Sequence, residues 1–354
     1  MFYLLISLVL TALVHLNAQS MDSYKEVTDK FFNEQIQKLD KGTLQEKVTA
    51  IDKLKKMKTR RALRPLIMTL RGVSSNESTP AKSQKQIIDD SNEVTTINLD
   101  ISDNNAPVIK FWAARALADI GHEKAMKPMV EVYTALEKTI QDKDKPHYRD
   151  ELEMKNIHAA AELLRMIGDL IENLYEREEA SSDKIKPASD AIKLGIETLK
   201  NSLFSHKHYY IRSAAADGLK NSRRKDALSL LNTATTSEKN EYVRAAILGG
   251  IIIIHPSNSE KFFELVELLK SDDPAVRIRS SQGLGESGIG ISEVYLRQTL
   301  QYEENTAVRD QIKNDIAVIS NYRVPSAPTD ALYSEIGNKV NSPSQPSDRA
   351  GSKQ

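Results

Sequence analysis

The sequence contains no cysteine, and this absence excludes several kinds of chemistry at once. Without a thiol the chain forms no disulfide, has no thiolate metal ligand or cysteine nucleophile, and cannot carry a lipid on an N-terminal cysteine. Only 6% of the 354 residues are aromatic, so a surface that stacks nucleic-acid bases is not expected. Acidic and basic residues number 49 each, and a chain without net positive charge is a poor candidate for general nucleic-acid binding.

Recognisable catalytic motifs are also missing. The sequence has no phosphate-cradling glycine loop, serine elbow, paired-carboxylate motif or H-E-x-x-H pair. His147, His206 and His208 fall near the starts of predicted helices, but histidines two apart on a helix point to different faces, and no carboxylate joins them by spacing. We therefore expect no metal site, no cofactor and no catalytic residue, and hence a non-catalytic chain.

The longest hydrophobic run lies at the N-terminus. Residues 1–18 are predicted to be a signal peptide, because an apolar run from Phe2 to Val14 is followed by the small residue Ala18 at the expected cleavage site. The run is too short for a comfortable membrane span, and no Lys or Arg precedes it, which is unusual for a signal. We expect cleavage and export to a periplasmic or secreted location. An uncleaved N-terminal anchor and a cytosolic protein are the alternatives.

The most informative pattern that is present begins at Asp273. Asp272 or Asp273 suits the N-cap of a helix, Pro274 suits its first turn, and apolar residues then recur at helical spacing up to Gly288. A second helix is predicted over residues 293–301. The first helix has several small residues that would allow neighbouring helices to approach closely: Ser280, Ser281, Gly283 and Gly285.

This helical unit recurs along the chain. Positions equivalent to Leu284 are Leu54, Leu117, Leu164, Leu219, Ile251 and Ile316. From Leu219 onward they follow one another at an even spacing of about 32 residues, a period that predicts stacked helical hairpins. A basic residue precedes this position by seven in every unit except the third, which has Ile157: Lys47, Lys110, Arg212, Arg244, Arg277 and Arg309.

Three segments carry a resemblance to a known family: residues 211–216, 243–246 and 276–281 resemble the first helices of HEAT repeats, including the HEAT-like variety of phycobilin lyases. The resemblance implies an all-α, right-handed α-solenoid of about six HEAT-like helical hairpins over residues 43–322. It also implies that Arg212, Arg244, Arg277 and Arg309 support contacts between successive repeats. We expect a capping helix within 19–42, a flexible insertion at 72–102 and a disordered tail at 323–354.

One stretch of the first predicted hairpin has an uneven charge. Seven basic residues with no acid between them form this basic run: Lys53, Lys55, Lys56, Lys58, Arg60, Arg61 and Arg64. The run is either a solvated face or a contact for an anionic partner, such as an acidic protein surface or lipid headgroups.

The sequence as a whole predicts an exported, non-catalytic HEAT-repeat scaffold that binds a protein partner, with the basic run as its charged contact. The alternatives are a HEAT-like lyase-type enzyme and a membrane-apposed structural protein held by an uncleaved N-terminal segment.

Overall fold

The computed structural model describes residues 28–73, 86–88, 94–96, 106–140, 151–180 and 186–321. The chain divides into two compact units, Met1–Leu199 and Lys200–Gln354, which we call unit 1 and unit 2. The predicted signal segment 1–18, the tail 323–354 and His147 lie outside the described residues.

Unit 1 is built from helices whose starts follow from local sequence. Thr43 and Glu46 form a capping box, in which the Glu46 carboxylate accepts a hydrogen bond from the Thr43 backbone N–H over 2.8 Å. Gly72 and Gly121 adopt positive φ after their helices, as a left-handed C-terminal residue requires. The helices are α1 (28–41), α2 (Leu44–Lys56), α3 (Arg60–Arg71), α4 (Ala106–Ile120), α5 (Met126–Glu137), α6 (Glu151–Ala180) and α7 (Lys186–Ser205), whose last residues belong to unit 2.

Unit 2 continues with shorter and more regular helices. Asp273 caps its helix as predicted, because its carboxylate accepts a hydrogen bond from the Ala275 N–H over 2.8 Å, and Pro274 opens the first turn. The helices are α8 (Tyr209–Asn221), α9 (Lys225–Ser237), α10 (Glu241–Ile254), α11 (Ser259–Glu267) with the 3-10 turn Leu268–Lys270, α12 (Pro274–Glu286), α13 (Ser292–Tyr302) and α14 (Thr306–Asn321).

In the described part of the chain, the consecutive helices α2 to α13 pair into six hairpins, three before α8 and three in unit 2, and α14 follows the last. Within unit 2, the first helices of the hairpins, α8, α10 and α12, pack side by side with α14 after them, and within unit 1 α4 packs against both α2 and α6. The predicted all-α class and the repeated helical hairpins are confirmed within each unit. Across the described part of the chain, no helix combines the length and apolar character needed to cross a membrane.

The recurring apolar position is the centre of the packing. Its seven members are all buried: Leu54, Leu117, Leu164, Leu219, Ile251, Leu284 and Ile316. Small residues let the helices approach, and Gly249 of α10 and Gly283 of α12 are so close that a Cβ atom on either would lie 3.1 Å from the Cα atom of the other. The register read from the sequence therefore places the core correctly.

The insertion predicted to be flexible contains an element that the sequence pattern did not indicate. This element is a two-stranded antiparallel hairpin, β1 (Gln86–Ile88) with β2 (Val94–Thr96), in which Ile87 pairs with Thr95. Both strands are rich in β-branched residues, which favour an extended backbone. The other residues of the insertion from 74 onward lie outside the described ranges.

Candidate partner-binding surfaces

A network of side chains fixes the loop between α7 and α8 to the loop between α9 and α10. The Arg212 guanidinium donates to both carboxylate oxygens of Glu238, with Nε to Oε2 at 2.7 Å and Nη2 to Oε1 at 3.1 Å. Arg212 also donates to the backbone carbonyls of His206 and Lys207. Glu238 in turn accepts from the Asn240 N–H, and the Asn240 side chain caps α10. We call Arg212, Glu238 and Asn240 the first bracket.

The same network recurs two hairpins further along the chain. Arg277 Nε and Nη2 donate to Glu303 at 2.7 and 2.9 Å, and Arg277 Nη1 donates to the carbonyls of Ser271 and Asp272. Glu303 accepts from the Asn305 N–H at 2.9 Å, and Asn305 caps the N–H of Val308. We call Arg277, Glu303 and Asn305 the second bracket. A bidentate Arg–carboxylate pair with further backbone bonds is among the stronger and more directional polar contacts in proteins.

The electrostatics of the brackets agree with this geometry. The hydrogen bond from Arg277 lowers the pKa of the Glu303 carboxyl more than its burial raises it. For Glu238, burial is the largest influence and raises the pKa, but the bonds from Arg212 and the Asn240 N–H together outweigh it, so the net direction is downward. Both carboxyl groups are therefore held in the charged form.

The second bracket forms one wall of a groove of about 600 Å³. The apolar side chains of Val266 and Leu269 line it together with two tyrosines, Tyr295 and Tyr302. Tyr302 is 80% exposed, which is the highest value among the exposed large hydrophobic residues of the described part of the chain. The polar lining residues are Glu267, Lys270, Ser271, Asp272, Arg277, Gln298, Thr299, Glu303 and Glu304.

The region around the first bracket has a different surface. The His208 ring stacks on Tyr209, with ring centroids 5.2 Å apart, and Tyr242 contacts both Tyr209 and Tyr210 at 5.7 and 6.3 Å. Tyr209 is 45% exposed. Lys207 and Lys239 occupy the positions that are Asp272 and Glu304 in the second bracket region. The two regions therefore share a frame and have opposite charges on it.

The other recurrent basic positions are also bonded. Arg309 donates to the backbone carbonyls of Glu303 at 2.7 Å and Leu300 at 3.2 Å, whereas Arg244 reaches Glu264 at 3.4 Å. The Arg309 contacts join the end of one hairpin to the start of the next, as predicted, whereas the Arg244 contact lies within the hairpin of α10 and α11.

The structure divides the basic run of unit 1 into paired and unpaired members. The pairing acids come from outside the run: Asp52 for Lys55 and Lys56, Asp119 for Lys55 at 3.2 Å, and Asp29 for Arg61. Lys53 lies over the Phe31 ring, and Arg61 lies over the Phe32 ring. Lys58, Arg60 and Arg64 are exposed and have no acidic partner among the described residues.

The described histidines are used in local hydrogen bonds. His206 Nδ1 accepts from the His208 N–H at 3.0 Å, and His208 Nδ1 accepts from the Tyr210 N–H at 3.2 Å as the N-cap of α8. His122 caps the 3-10 turn before α5 in the same way. Within the described ranges, no three His, Asp or Glu side chains form a group suited to a metal ion.

Comparisons with known proteins add fold-level likeness and no family assignment. No protein-family model matches the chain, and no curated protein matches it. Among solved structures, the complex of CpcE and CpcF of phycocyanin lyase from Nostoc sp. PCC7120 is similar, with 16% identity, 80% of this chain and 93% of that chain covered, and a TM-score of 0.38. Human deoxyhypusine hydroxylase in complex with glycerol has 14% identity, coverage of 84% and 98%, and a TM-score of 0.29. An engineered protein has 16% identity, coverage of 82% and 96%, and a TM-score of 0.28.

These comparisons correct one expectation. The absence of a recognisable motif led to the prediction of a non-catalytic scaffold, yet two of these three similar structures are named as enzymes, a lyase and a hydroxylase. The prediction of a non-catalytic chain is therefore wrong, and it is not carried further.

Proposed function

We propose that this chain is a HEAT-like helical-repeat subunit that binds a partner protein and works in a complex with it. The observation that carries the proposal is Tyr302, an exposed aromatic residue at the end of α13, next to the loop that the second bracket holds in place. Tyrosine is enriched at protein interfaces, and a segment that is already ordered loses little conformational entropy when it binds.

Site-specific photo-crosslinking tests this proposal. In one variant of the full chain, a photo-reactive phenylalanine analogue replaces Tyr302. In a second variant it replaces Val294, which is also exposed on α13 but does not line the groove. We expect one defined crosslinked product from position 302 and none from position 294. Equal crosslinking from both positions, or none from either, would contradict a partner surface at the groove.

The basic run is a second proposed contact, for an acidic partner surface. The residues to change are Lys58, Arg60 and Arg64, because the structure leaves them without acidic partners among the residues it describes. Replacing all three by Glu should reduce the amount of partner that is recovered after crosslinking. The amount recovered should then no longer depend on the salt concentration. If the partner is recovered equally, the run is a solvated face. Binding of the wild-type chain to anionic vesicles in place of protein would favour the membrane-apposed alternative.

A HEAT-like lyase-type enzyme is the second candidate. The residue proposed for it is Lys110, which is 7% exposed and whose pKa burial lowers from 10.5 to about 8. A lysine with a lowered pKa serves as a nucleophile or base at a lower pH than an exposed lysine does. Intact mass spectrometry of the partner after incubation tests this role: a mass change that requires the chain and is lost in Lys110→Arg supports catalysis.

Export to a periplasmic or secreted location, through the segment 1–18, is part of the proposal. Its support is the apolar run from Phe2 to Val14, followed by the small residue Ala18. Mass spectrometry of the protein from its native host should find a mature N-terminus near Gln19. An intact Met1 in a cytosolic fraction would contradict it.

A further inference from the structure

The groove of unit 2 has a chemical character beyond its shape. Four carboxylates line it, Glu267, Asp272, Glu303 and Glu304, against two cations, Lys270 and Arg277. Both cations are already engaged, since Lys270 Nζ bonds Glu267 at 2.8 Å and Arg277 bonds Glu303. The excess charge of the groove is therefore negative.

Two of these carboxylates supply that excess. The side chains of Asp272 and Glu304 are exposed and accept no hydrogen bond from the described residues. Both residues are held by the second bracket. The Asp272 carbonyl accepts a hydrogen bond from Arg277, and Glu304 directly follows Glu303 in the chain. The backbone that carries both carboxylates is thus ordered before any ligand arrives.

Aromatic rings complete the lining. Tyr295 packs against Phe262 and Phe263, with ring centroids 5.9 and 6.2 Å away, so its ring is supported from behind. Tyr302 is exposed at the groove, where its ring can lie against a ligand. A cation over a tyrosine face is attracted by the negative potential of the ring, even at an exposed site. Aromatic rings beside exposed carboxylates form a suitable environment for a guanidinium or ammonium group.

The first bracket region offers an internal comparison. It has the same Arg–Glu–Asn frame, but Lys207 and Lys239 stand where the groove has Asp272 and Glu304, and Ser237 stands where it has Tyr302. The frame itself therefore does not require acids or a tyrosine at these positions. The stability of the fold therefore does not explain why the groove combines two acids with a tyrosine, and a role in binding does.

We infer that the groove binds a basic segment of the partner protein, with an arginine or lysine side chain against Tyr302 and Tyr295 and its charge facing Asp272 and Glu304. The inference rests on the proposed function, that the chain binds a protein, and it names the chemistry of the segment that is bound. Charge complementarity selects this occupant over an acidic or purely apolar segment.

Fluorescence polarisation with defined peptides tests the inference on the full chain. The probe is a labelled dodecapeptide of Gly, Ser and four Arg, and the matched controls replace the four Arg by citrulline, which keeps the shape and removes the charge, or by Glu. We expect the Arg peptide to bind and both controls to bind at least tenfold more weakly. Raising the salt from about 0.05 to 0.5 M should weaken the Arg peptide, because the screening length falls to a few ångströms.

Variants locate the binding. Tyr302→Ala should weaken the Arg peptide about threefold, as expected for an exposed cation–aromatic contact. Asp272→Asn with Glu304→Gln should weaken it about fivefold, as expected for exposed ion pairs. Lys239→Gln, in the first bracket region, is the matched control and should not weaken it. Thermal unfolding monitored by circular dichroism verifies that each variant is folded.

The outcomes separate this inference from the proposed function. Equal affinity for the Arg and citrulline peptides would overturn the basic-segment inference, and so would wild-type affinity in a variant that combines all three groove substitutions. If a partner crosslinks from position 302 but the Arg peptide does not bind, the proposed partner binding is supported and the inference that the groove binds a basic segment is contradicted. Specific Arg-peptide binding without any crosslinked partner would support the groove and contradict the proposed function.

Discussion

The two bracketed regions of unit 2 have the same internal frame and different outer surfaces. Arg212 and Glu238 in the first, and Arg277 and Glu303 in the second, make the same bidentate pair, with an asparagine two positions after each glutamate. On this shared frame the first region has two lysines and a group of stacked aromatic rings, and the second has two exposed acids and the groove.

This comparison separates the residues that build the fold from those available for function. We call α8–α11 the first half of unit 2 and α12–α14 the second half. A side chain that recurs with the same bonds in both halves is explained by packing between hairpins. A side chain that differs in charge or size on the same frame has no such explanation. The experiments below either disturb the shared frame or exchange what differs on it, and the expected effects decrease from the first to the last.

The largest effect should come from the shared apolar core. Leu219 and Leu284 occupy equivalent positions and are both fully buried. Replacing either by Asp puts a charge without a partner in the packing between helices, so we expect each variant to lose about 4 kcal/mol of unfolding free energy. Urea denaturation measured by circular dichroism provides the test.

The matched control for the core is Val294→Asp on α13, where the side chain is 56% exposed. Its effect should stay within about 0.5 kcal/mol. If Leu219→Asp and Leu284→Asp gave clearly different losses, the two halves of unit 2 would not share one core, and the correspondence between them would be superficial.

Breaking one bracket should have the next largest effect. Arg277→Met leaves the buried carboxylate of Glu303 without its cation, at a cost of about 3 kcal/mol at pH 7. The Arg277 bond lowers the pKa of Glu303, so this stabilisation is present above the unfolded-state value of 4.5 and is lost as the pH falls through the folded-state value. The gap between wild type and variant in urea titrations should therefore narrow below pH 4.5.

Lys270→Met is the control for the bracket, because the Lys270–Glu267 pair is exposed and should contribute less than about 0.5 kcal/mol. Arg212→Met should behave like Arg277→Met, since Glu238 is bonded in the same way. A stability gap that persists unchanged at pH 3.5 would mean that Arg277 acts through its packing and not through its charge.

The core and much of the frame could be predicted from the sequence. The spacing of Leu219, Ile251 and Leu284 is a local signal, and the N-cap at Asp273 depends on neighbouring residues only. Of the brackets, only the arginines were predicted, as residues that support contacts between repeats, and the Glu-x-Asn sequences that bind them were not. The period of a single hairpin conceals these sequences, because in unit 2 they follow the first and third hairpins and not the second.

The binding surfaces could not be predicted in the same way. The groove requires the end of the 3-10 turn after α11 to lie beside α13, which depends on packing between hairpins. The positive charge of the basic run is smaller than its sequence suggests, because Asp29 and Asp119, which are distant in sequence, pair with Arg61 and Lys55. Local sequence determines helix ends and core positions, whereas charge on a surface depends on which distant residues come together.

A smaller effect is expected where a buried group occurs in one half of unit 2 only. Asp315 of α14 accepts hydrogen bonds from Ser281 and Gln311, and its equivalent in the first half is Gly250. Burial raises the pKa of Asp315 despite these bonds, so ionisation opposes folding. Stability should fall as the pH rises from the unfolded value of 3.8 through the raised value, and the penalty should remain above it.

Asp315→Asn should remove this penalty and raise the melting temperature by a few degrees at pH 7, with no gain at pH 3.5. The control is Asp310→Asn in the same helix, whose side chain is 63% exposed. A gain of equal size at both pH values would show that the change acts through the hydrogen bonds with Ser281 and Gln311, and not through ionisation.

The smallest effect should follow from exchanging a single charge between the two regions. Lys239→Glu gives the first region the acid that Glu304 supplies in the groove, and it should change stability by less than about 0.5 kcal/mol because Lys239 lies at the surface. Affinity for the Arg peptide should change by less than twofold. The reason is that Lys207 still stands where the groove has Asp272, and Ser237 provides no ring at the position of Tyr302, so one exposed acid contributes little. A gain in Arg-peptide binding as large as the loss in Tyr302→Ala would show that surface charge alone attracts basic segments, and the tyrosine would lose its assigned role in recognition.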